Sequence, residues 1–304
     1  MAFAEIISRP LCLGGNVFGW TADEEQSFAV LDIYAEAGGN FIDTADVYSA
    51  WVPGHQGGES ESIVGRWMKA RGNRDQMIIA TKVGMLAGHM TLNPEGIRTA
   101  AENSLRRLGV DHIDLYYAHQ DDPSTPLEET IAGFDALVKD GKVRYLGASN
   151  YSADRLAESL AISHSSGLAR YEVLQPHYNL IDRAKYEGPL AETVATNALA
   201  CVPYFGLARG FLTGKYRPGQ TDSGSPRAAN ASKHLDDPRG LMVLSALDTV
   251  SQKHGVPLAA VALAWLRAQP TVLAPIASAR NVSQLREIMT EVKLTDADLA
   301  TLSG

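Results

Sequence analysis

Residues 94–120 read PEGIRTAAENSLRRLGVDHIDLYYAHQ, and this stretch decides the fold. Its first part, 94–108, has the apolar spacing of an amphipathic helix opened by Pro94, and Gly109 stands where such a helix stops. Residues 113–118 then form a short apolar run of strand type, closed by the polar pair His119 and Gln120. The same alternation extends in both directions. Further strands are predicted at 11–13, 40–43, 77–82, 143–149, 172–175, 199–204 and 272–276, which brings the total to eight. Helical patterns lie at 24–37, 60–71, 127–140, 153–166, 183–197 and 282–292. Ser152 is placed to cap one of them, and Thr295 with Asp298 makes an acidic capping box ahead of a last short helix.

Eight such alternations in 304 residues predict an α/β fold of the (β/α)8 TIM-barrel type, one domain spanning residues 1–304. The competing architecture is an open, doubly wound sheet. That fold announces itself by a Gly-rich phosphate turn between a strand and a helix, and Leu13-Gly14-Gly15-Asn16 lacks the full fingerprint.

Composition narrows the function. A net charge of -8 and a pI near 5.5, with no block of Lys or Arg, argue against nucleic acid or an anionic membrane as partner. Cys12 and Cys201 lie far apart in apolar runs and read as buried thiols, neither a disulfide nor a metal site. His55 and the other histidines show no metal-ligand spacing. No cationic leader and no apolar run of membrane-spanning length is seen, so a cytoplasmic protein is expected.

Four residues at or just after three predicted strand ends carry the chemistry: Asp43 and Tyr48 in FIDTADVYS, Lys82 in IIATK, and His119 in DLYYAHQ. Tyrosine is a poor acid, with a reference pKa of about 10, and a neighbouring ammonium favours its phenolate and lowers that value. Lys82 supplies such a charge, Asp43 holds the lysine protonated, and His119 can hydrogen-bond to a carbonyl oxygen about to accept a proton. In a barrel these strand ends converge on one face.

In this order the four residues resemble the catalytic tetrad of the aldo-keto reductases. The resemblance runs from PLCLGG (10–15) through GESESIVGRW (58–67), ATKVG (80–84), DGKVRYLGASN (140–150) and LARGFLTGKY (207–216) to ARNVSQL (279–285). It is similar above all to the bacterial branch that also resembles potassium-channel β-subunits. The resemblance implies a barrel that uses NADPH/NADP+, with NADH less favoured, to interconvert a small carbonyl compound and its alcohol. It further implies that Ser149, Asn150 and Gln175 hold the nicotinamide carboxamide and that Tyr204 stacks on the nicotinamide face. Phe205, Gly206, Leu207, Arg209, Gly210 and Lys215 correspond to the pyrophosphate loop, and Ser278, Arg280 and Gln284 to the adenosine 2'-phosphate site at a helix start. The chain departs from the family in three places: Phe205-Gly206 replaces a commoner Ser-Pro, Ser278 a glycine, and Ile288 an asparagine.

Trp20 and Trp51 are candidates to wall a substrate cleft, with Gln120 as a polar contact. The tract 217–237, rich in Gly, Ser, Pro, Asp and Asn, reads either as a mobile loop over cofactor or substrate or as simple disorder. Only nine residues precede Pro10, so an abbreviated plug of the barrel bottom is expected. Two other functions compete with carbonyl reduction. One is a cofactor-binding redox-sensing or scaffolding subunit, and the other is a Schiff-base aldolase with Lys82 as nucleophile.

Overall fold

The computed structural model describes residues 3–220 and 224–304. Eight strands run parallel: β1 (Cys12–Gly14), β2 (Phe41–Asp43), β3 (Ile78–Val83), β4 (Ile113–Ala118), β5 (Val143–Ser149), β6 (Tyr171–Gln175), β7 (Ala200–Cys201) and β8 (Ile276–Ala277). They hydrogen-bond in the order β7-β6-β5-β4-β3-β2-β1-β8. Backbone bonds from Cys201 to Thr271 (2.8 Å), Leu273 to Cys201 (2.8 Å) and Ile276 to Pro203 (2.9 Å) join the two ends of this sheet. The result is the (β/α)8 barrel.

Strand periodicity positions the site. Side chains alternate between the barrel lumen and the helix layer, and β3, buried throughout, turns Ile78, Ala80 and Lys82 inward. The lumen core takes Phe41 from β2, Ile78 and Ala80 from β3, Leu115 and Tyr117 from β4, and Val173 from β6. Register pairs Asp43 with Ala80 and Lys82 with Tyr117. The inward phase of three strands therefore delivers Asp43, Lys82 and then His119 to the C-terminal mouth. Across from Tyr117 stands Gly147, where a Cβ would meet the tyrosine ring at 2.4 Å. A glycine on β5 is the condition for a tyrosine inside the barrel.

At the opposite end Phe3, in a 3-10 turn over Phe3–Ile6, packs edge-on against Phe41 at 5.5 Å and Tyr145 at 5.4 Å. This buried ring covers the bottom of the barrel lumen.

Several elements differ from the sequence reading. The helix expected from 183 is Pro189–Thr196, because Gly188 at φ 93° breaks the path and Pro189 occupies a first-turn position. The helix expected to end at 292 ends at Met289, where Thr290 turns extended. Strands β7 and β8 are two residues each, and Val272 contributes only an isolated bridge to Cys201. Two further helices, Pro238–His254 and Leu258–Arg267, come after the Gly/Ser-rich tract. Within that tract residues 221–223 lie outside the described residues. Its C-terminal half forms a short helix, Ala228–Ala231, and a 3-10 turn, Ser232–Asp236.

Candidate active site

At the barrel mouth a cleft of about 1130 Å³ opens over the C-terminal strand ends. Every residue predicted for catalysis, cofactor or substrate lines it except Lys82, which sits behind Tyr48 with no exposed surface. The Lys82 Nζ donates to Asp43 Oδ2 (2.6 Å), to the Thr44 carbonyl (2.8 Å) and to the Tyr48 hydroxyl (3.1 Å). The ammonium therefore has its full complement of acceptors, and the Tyr48 O–H is left to donate into the cleft. Tyr48 and His119 meet edge to face at 6.1 Å.

Burial works against the charge on Lys82, but Asp43 and Tyr48 outweigh it and hold the lysine above its usual pKa. Burial keeps His119 well below the usual histidine range, with Lys82 adding to the effect, so the imidazole is neutral. Tyr48 corrects the sequence expectation. Burial pushes the phenol up, Lys82 pulls it down and Asp43 pushes it up again, with a net rise. The phenol consequently carries its proton at neutral pH, the state required of an acid.

On one side of these groups the amides form a connected set. Gln175 Nε2 donates to Asp43 Oδ1 (2.8 Å), and Ser149 Oγ donates to the Gln175 carbonyl (2.9 Å). Asn150, at φ 55°, donates to the His119 carbonyl (2.8 Å) and accepts the Tyr204 hydroxyl (2.8 Å). Free acceptor and donor capacity on Asn150, Ser149 and Gln175 matches what a carboxamide needs.

Farther along, the cleft turns cationic although the protein is acidic. Arg209, Lys215, Arg227 and Arg280 line it, and none has a carboxylate partner among the described residues. Arg209 itself adopts φ 57° and Gly210 φ 97°, a left-handed path that glycine takes at no steric cost and arginine does not. Arg209 lies over the Phe205 ring at 4.2 Å, so the phenylalanine in place of serine supports the cation from below. The Arg280 N–H is held by Gln284 Oε1 (3.0 Å) at the start of the helix Val282–Met289, and Ser278 Oγ donates to Asn16 Oδ1 (2.7 Å). Ile288 supplies apolar lining nearby. Unpaired cations, glycine-shaped loops and a helix start make a donor set that fits a dinucleotide carrying several phosphates.

On the other side the mouth is apolar. Trp20 meets Trp51 edge to face at 5.4 Å, and Trp51 meets Tyr48 at 5.9 Å. Met85 lines the same region, while Gln120 is tied to the Gly84 carbonyl by its amide (2.9 Å).

A model described as the aldo/keto reductase family matches residues 10–304. The chain belongs to the aldo/keto reductase family. As a member it is an oxidoreductase that acts on carbonyl groups with a nicotinamide cofactor. This aldo/keto reductase is 32% identical to an aldo-keto reductase, str7, of Strobilurus tenacellus, over 94% of this chain and 82% of that one. It is 32% identical to an aldo-keto reductase of Schizosaccharomyces pombe, yakc, whose name carries NADP(+), over 94% and 84%. A probable voltage-gated potassium channel subunit beta of Oryza sativa is also 32% identical, over 90% and 83%.

Arg227 and Asn16 were missed by sequence reasoning. Arg227 sits over the Trp20 ring at 5.1 Å, joining the cationic and apolar parts of the cleft. Its signal was present, for it is the sole basic residue between 218 and 232. No group of three metal-ligating side chains occurs among the described residues, and no described helix is long and apolar enough to cross a membrane.

Proposed function

We propose that this aldo/keto reductase is an NADPH-dependent reductase of aldehydes or ketones in which Tyr48 is the general acid. The observation that carries the reading is the Lys82 ammonium, bound at once to Asp43 and to the Tyr48 hydroxyl beneath a cleft that also holds neutral His119. Ser149, Asn150 and Gln175 would take the carboxamide, Tyr204 the nicotinamide face, Arg209, Lys215 and Arg227 the pyrophosphate, and Arg280 with Gln284 the adenosine phosphate. When bound, the cofactor supplies a hydride to the carbonyl carbon.

His119, neutral and able to donate, orients the carbonyl oxygen toward the Tyr48 hydroxyl. Tyr48 gives its proton to that oxygen as negative charge builds there, and Lys82 stabilises the phenolate left behind. In the reverse direction the same phenolate is the base. Trp20, Trp51 and Met85 exclude water and favour an apolar group on the substrate, with Gln120 at the rim. A Schiff base on Lys82 is not supported, because a buried, protonated amine with three acceptors has no lone pair to offer.

A panel of aldehydes and ketones, followed by loss of reduced-nicotinamide absorbance, tests the activity. Tyr48→Phe should cost roughly two to four orders of magnitude in turnover with cofactor binding retained. Near-normal turnover in the folded variant removes Tyr48 from its role. Arg280→Ala should weaken NADPH roughly thirtyfold and leave NADH nearly untouched. Equal loss for both cofactors would argue against a 2'-phosphate contact.

A further inference from the structure

Beyond the cleft wall, one side chain that the proposed mechanism does not use is held with unusual completeness. His177 follows the end of β6 in QPHYNLID (175–182), and its backbone bridges in parallel to Tyr204. The two rings stack, with centroids 5.3 Å apart and planes inclined by 26°. Phe205 meets the same imidazole edge-on at 5.2 Å.

The imidazole is anchored on both nitrogens. Its Nε2 lies 3.0 Å from Asp182 Oδ2, and the Lys185 ammonium lies 3.3 Å from its Nδ1. An acceptor stands at one ring nitrogen and a donor at the other, so both nitrogens are engaged. Asp182 is itself delivered by a tight turn. Asn179 Oδ1 accepts the N–H groups of Ile181 and Asp182 (2.9 Å each), and Asn179 Nδ2 donates to Asp182 Oδ2 (3.0 Å). The imidazole can therefore neither flip nor swing.

We propose that His177 is a positioning residue that sets the plane of Tyr204 and, through it, the seat of the nicotinamide. Tyr204 is constrained at three places: its backbone N–H on the Pro176 carbonyl (2.9 Å), its hydroxyl on Asn150, and its rear face on His177. The backbone and hydroxyl bonds fix the two ends of the side chain, and the face-on contact of the stacked imidazole, beside the edge-on Phe205 ring at 5.0 Å, resists rotation of the ring about the line between them. The inference rests on the reading that the front face of Tyr204 receives the nicotinamide.

The test is a double-variant cycle on NADPH affinity, measured by equilibrium fluorescence, with single-turnover hydride transfer as a second readout. Tyr204→Ala should weaken NADPH about tenfold and His177→Ala about fourfold, the range expected for aromatic stacking. The two together should be no worse than Tyr204→Ala alone, because His177 acts only through that ring. His177→Phe should restore affinity to within about twofold, since it keeps a flat partner without the charge anchors. If His177→Ala does not fold, Asp182→Asn carries the comparison, with about a twofold loss in the wild-type background and none in Tyr204→Ala. Full additivity, or unchanged affinity and hydride transfer in folded His177→Ala, overturns the platform while leaving Tyr204 in place. Unchanged affinity in Tyr204→Ala overturns both the Tyr204 assignment and the platform built on it.

Discussion

Lys82 is a cation with no solvent, kept charged by three oxygens at 2.6 to 3.1 Å. An isolated buried ammonium would lose its proton, and the Asp43 carboxylate is what prevents this. Tyr48 then lies between opposing influences, burial and the Asp43 charge that raise its pKa and the Lys82 and, more weakly, Arg227 charges that lower it. Lys82→Met removes the larger lowering influence. The folded-state pKa of Tyr48 should rise further, so the pH at which alcohol oxidation reaches half its maximum should move upward, and reduction should slow severely for want of phenolate stabilisation. Asp43→Asn should act more mildly, since the amide still offers an oxygen to Lys82. Oxidation rate against pH with one good alcohol, under conditions where hydride transfer limits, distinguishes these outcomes. An unchanged profile in active Lys82→Met would take the lysine out of this role. These four residues were legible in the sequence because strand ends and strand phase are legible. The sign of the net shift on Tyr48 was not, because it depends on how much protein surrounds the phenol, which no local pattern encodes.

At the scale of elements, the central strands β4 and β5 match their sequence reading residue for residue. Both are mainly apolar runs, broken by Asp114 in β4 and Arg144 in β5, and each lies between a glycine-stopped helix and a polar end. The seam strands read less well. Pro203 interrupts the pairing beyond β7, which resumes only as an isolated bridge at Tyr204, and Pro275 precedes β8, because proline brings no N–H to a ladder. Helix starts were misjudged where a break hides inside an apolar spacing, as at Gly188-Pro189. Arg227 was passed over because Gly, Ser and Pro around it hide the turn that swings it onto Trp20. The bottom plug gives a prediction of its own. Phe3 is 2% exposed and contacts two strands, so Phe3→Ala should cost roughly 3 kcal/mol, the lower end for a buried phenylalanine. Its kcat should be unchanged, because the chemistry is at the other face. Denaturant unfolding together with steady-state kinetics checks both halves, and a fall in kcat at unchanged stability would contradict the assignment.

For the whole molecule, Asp46 is a contributor to the pH dependence of stability on the alkaline side of the carboxylate range. Asp46 is buried, and no side chain donates a hydrogen bond to its carboxylate. Burial, with repulsion from Glu61, pushes it up to about 7, against a partial pull from Arg107. Unfolded, the same group titrates near about 4. Between these values the native state holds a proton that the unfolded chain releases, so stability falls as pH rises through the window. Asp46→Asn cannot ionise and should escape that loss. Its advantage over wild type should grow by on the order of 3 kcal/mol from about pH 4 to pH 8, read from urea unfolding at each pH. Parallel pH profiles would mean that Asp46 is already ionised in the fold.

The barrel wall is uneven. Strands β3 to β6 run five to seven residues, whereas β7 and β8 have two each, and the candidate phosphate groups Arg209 and Arg280 stand on the loops that succeed those two. A dinucleotide laid across both loops would act as a staple over the thinnest part of the wall. Cofactor occupancy would then set how fast backbone amides around Val202 and Ile276 trade protons with solvent, while those of β4 and β5 would keep their own slow rate with or without it. The ligand would then be a structural member of the barrel, and its departure would loosen the same loops through which its replacement enters.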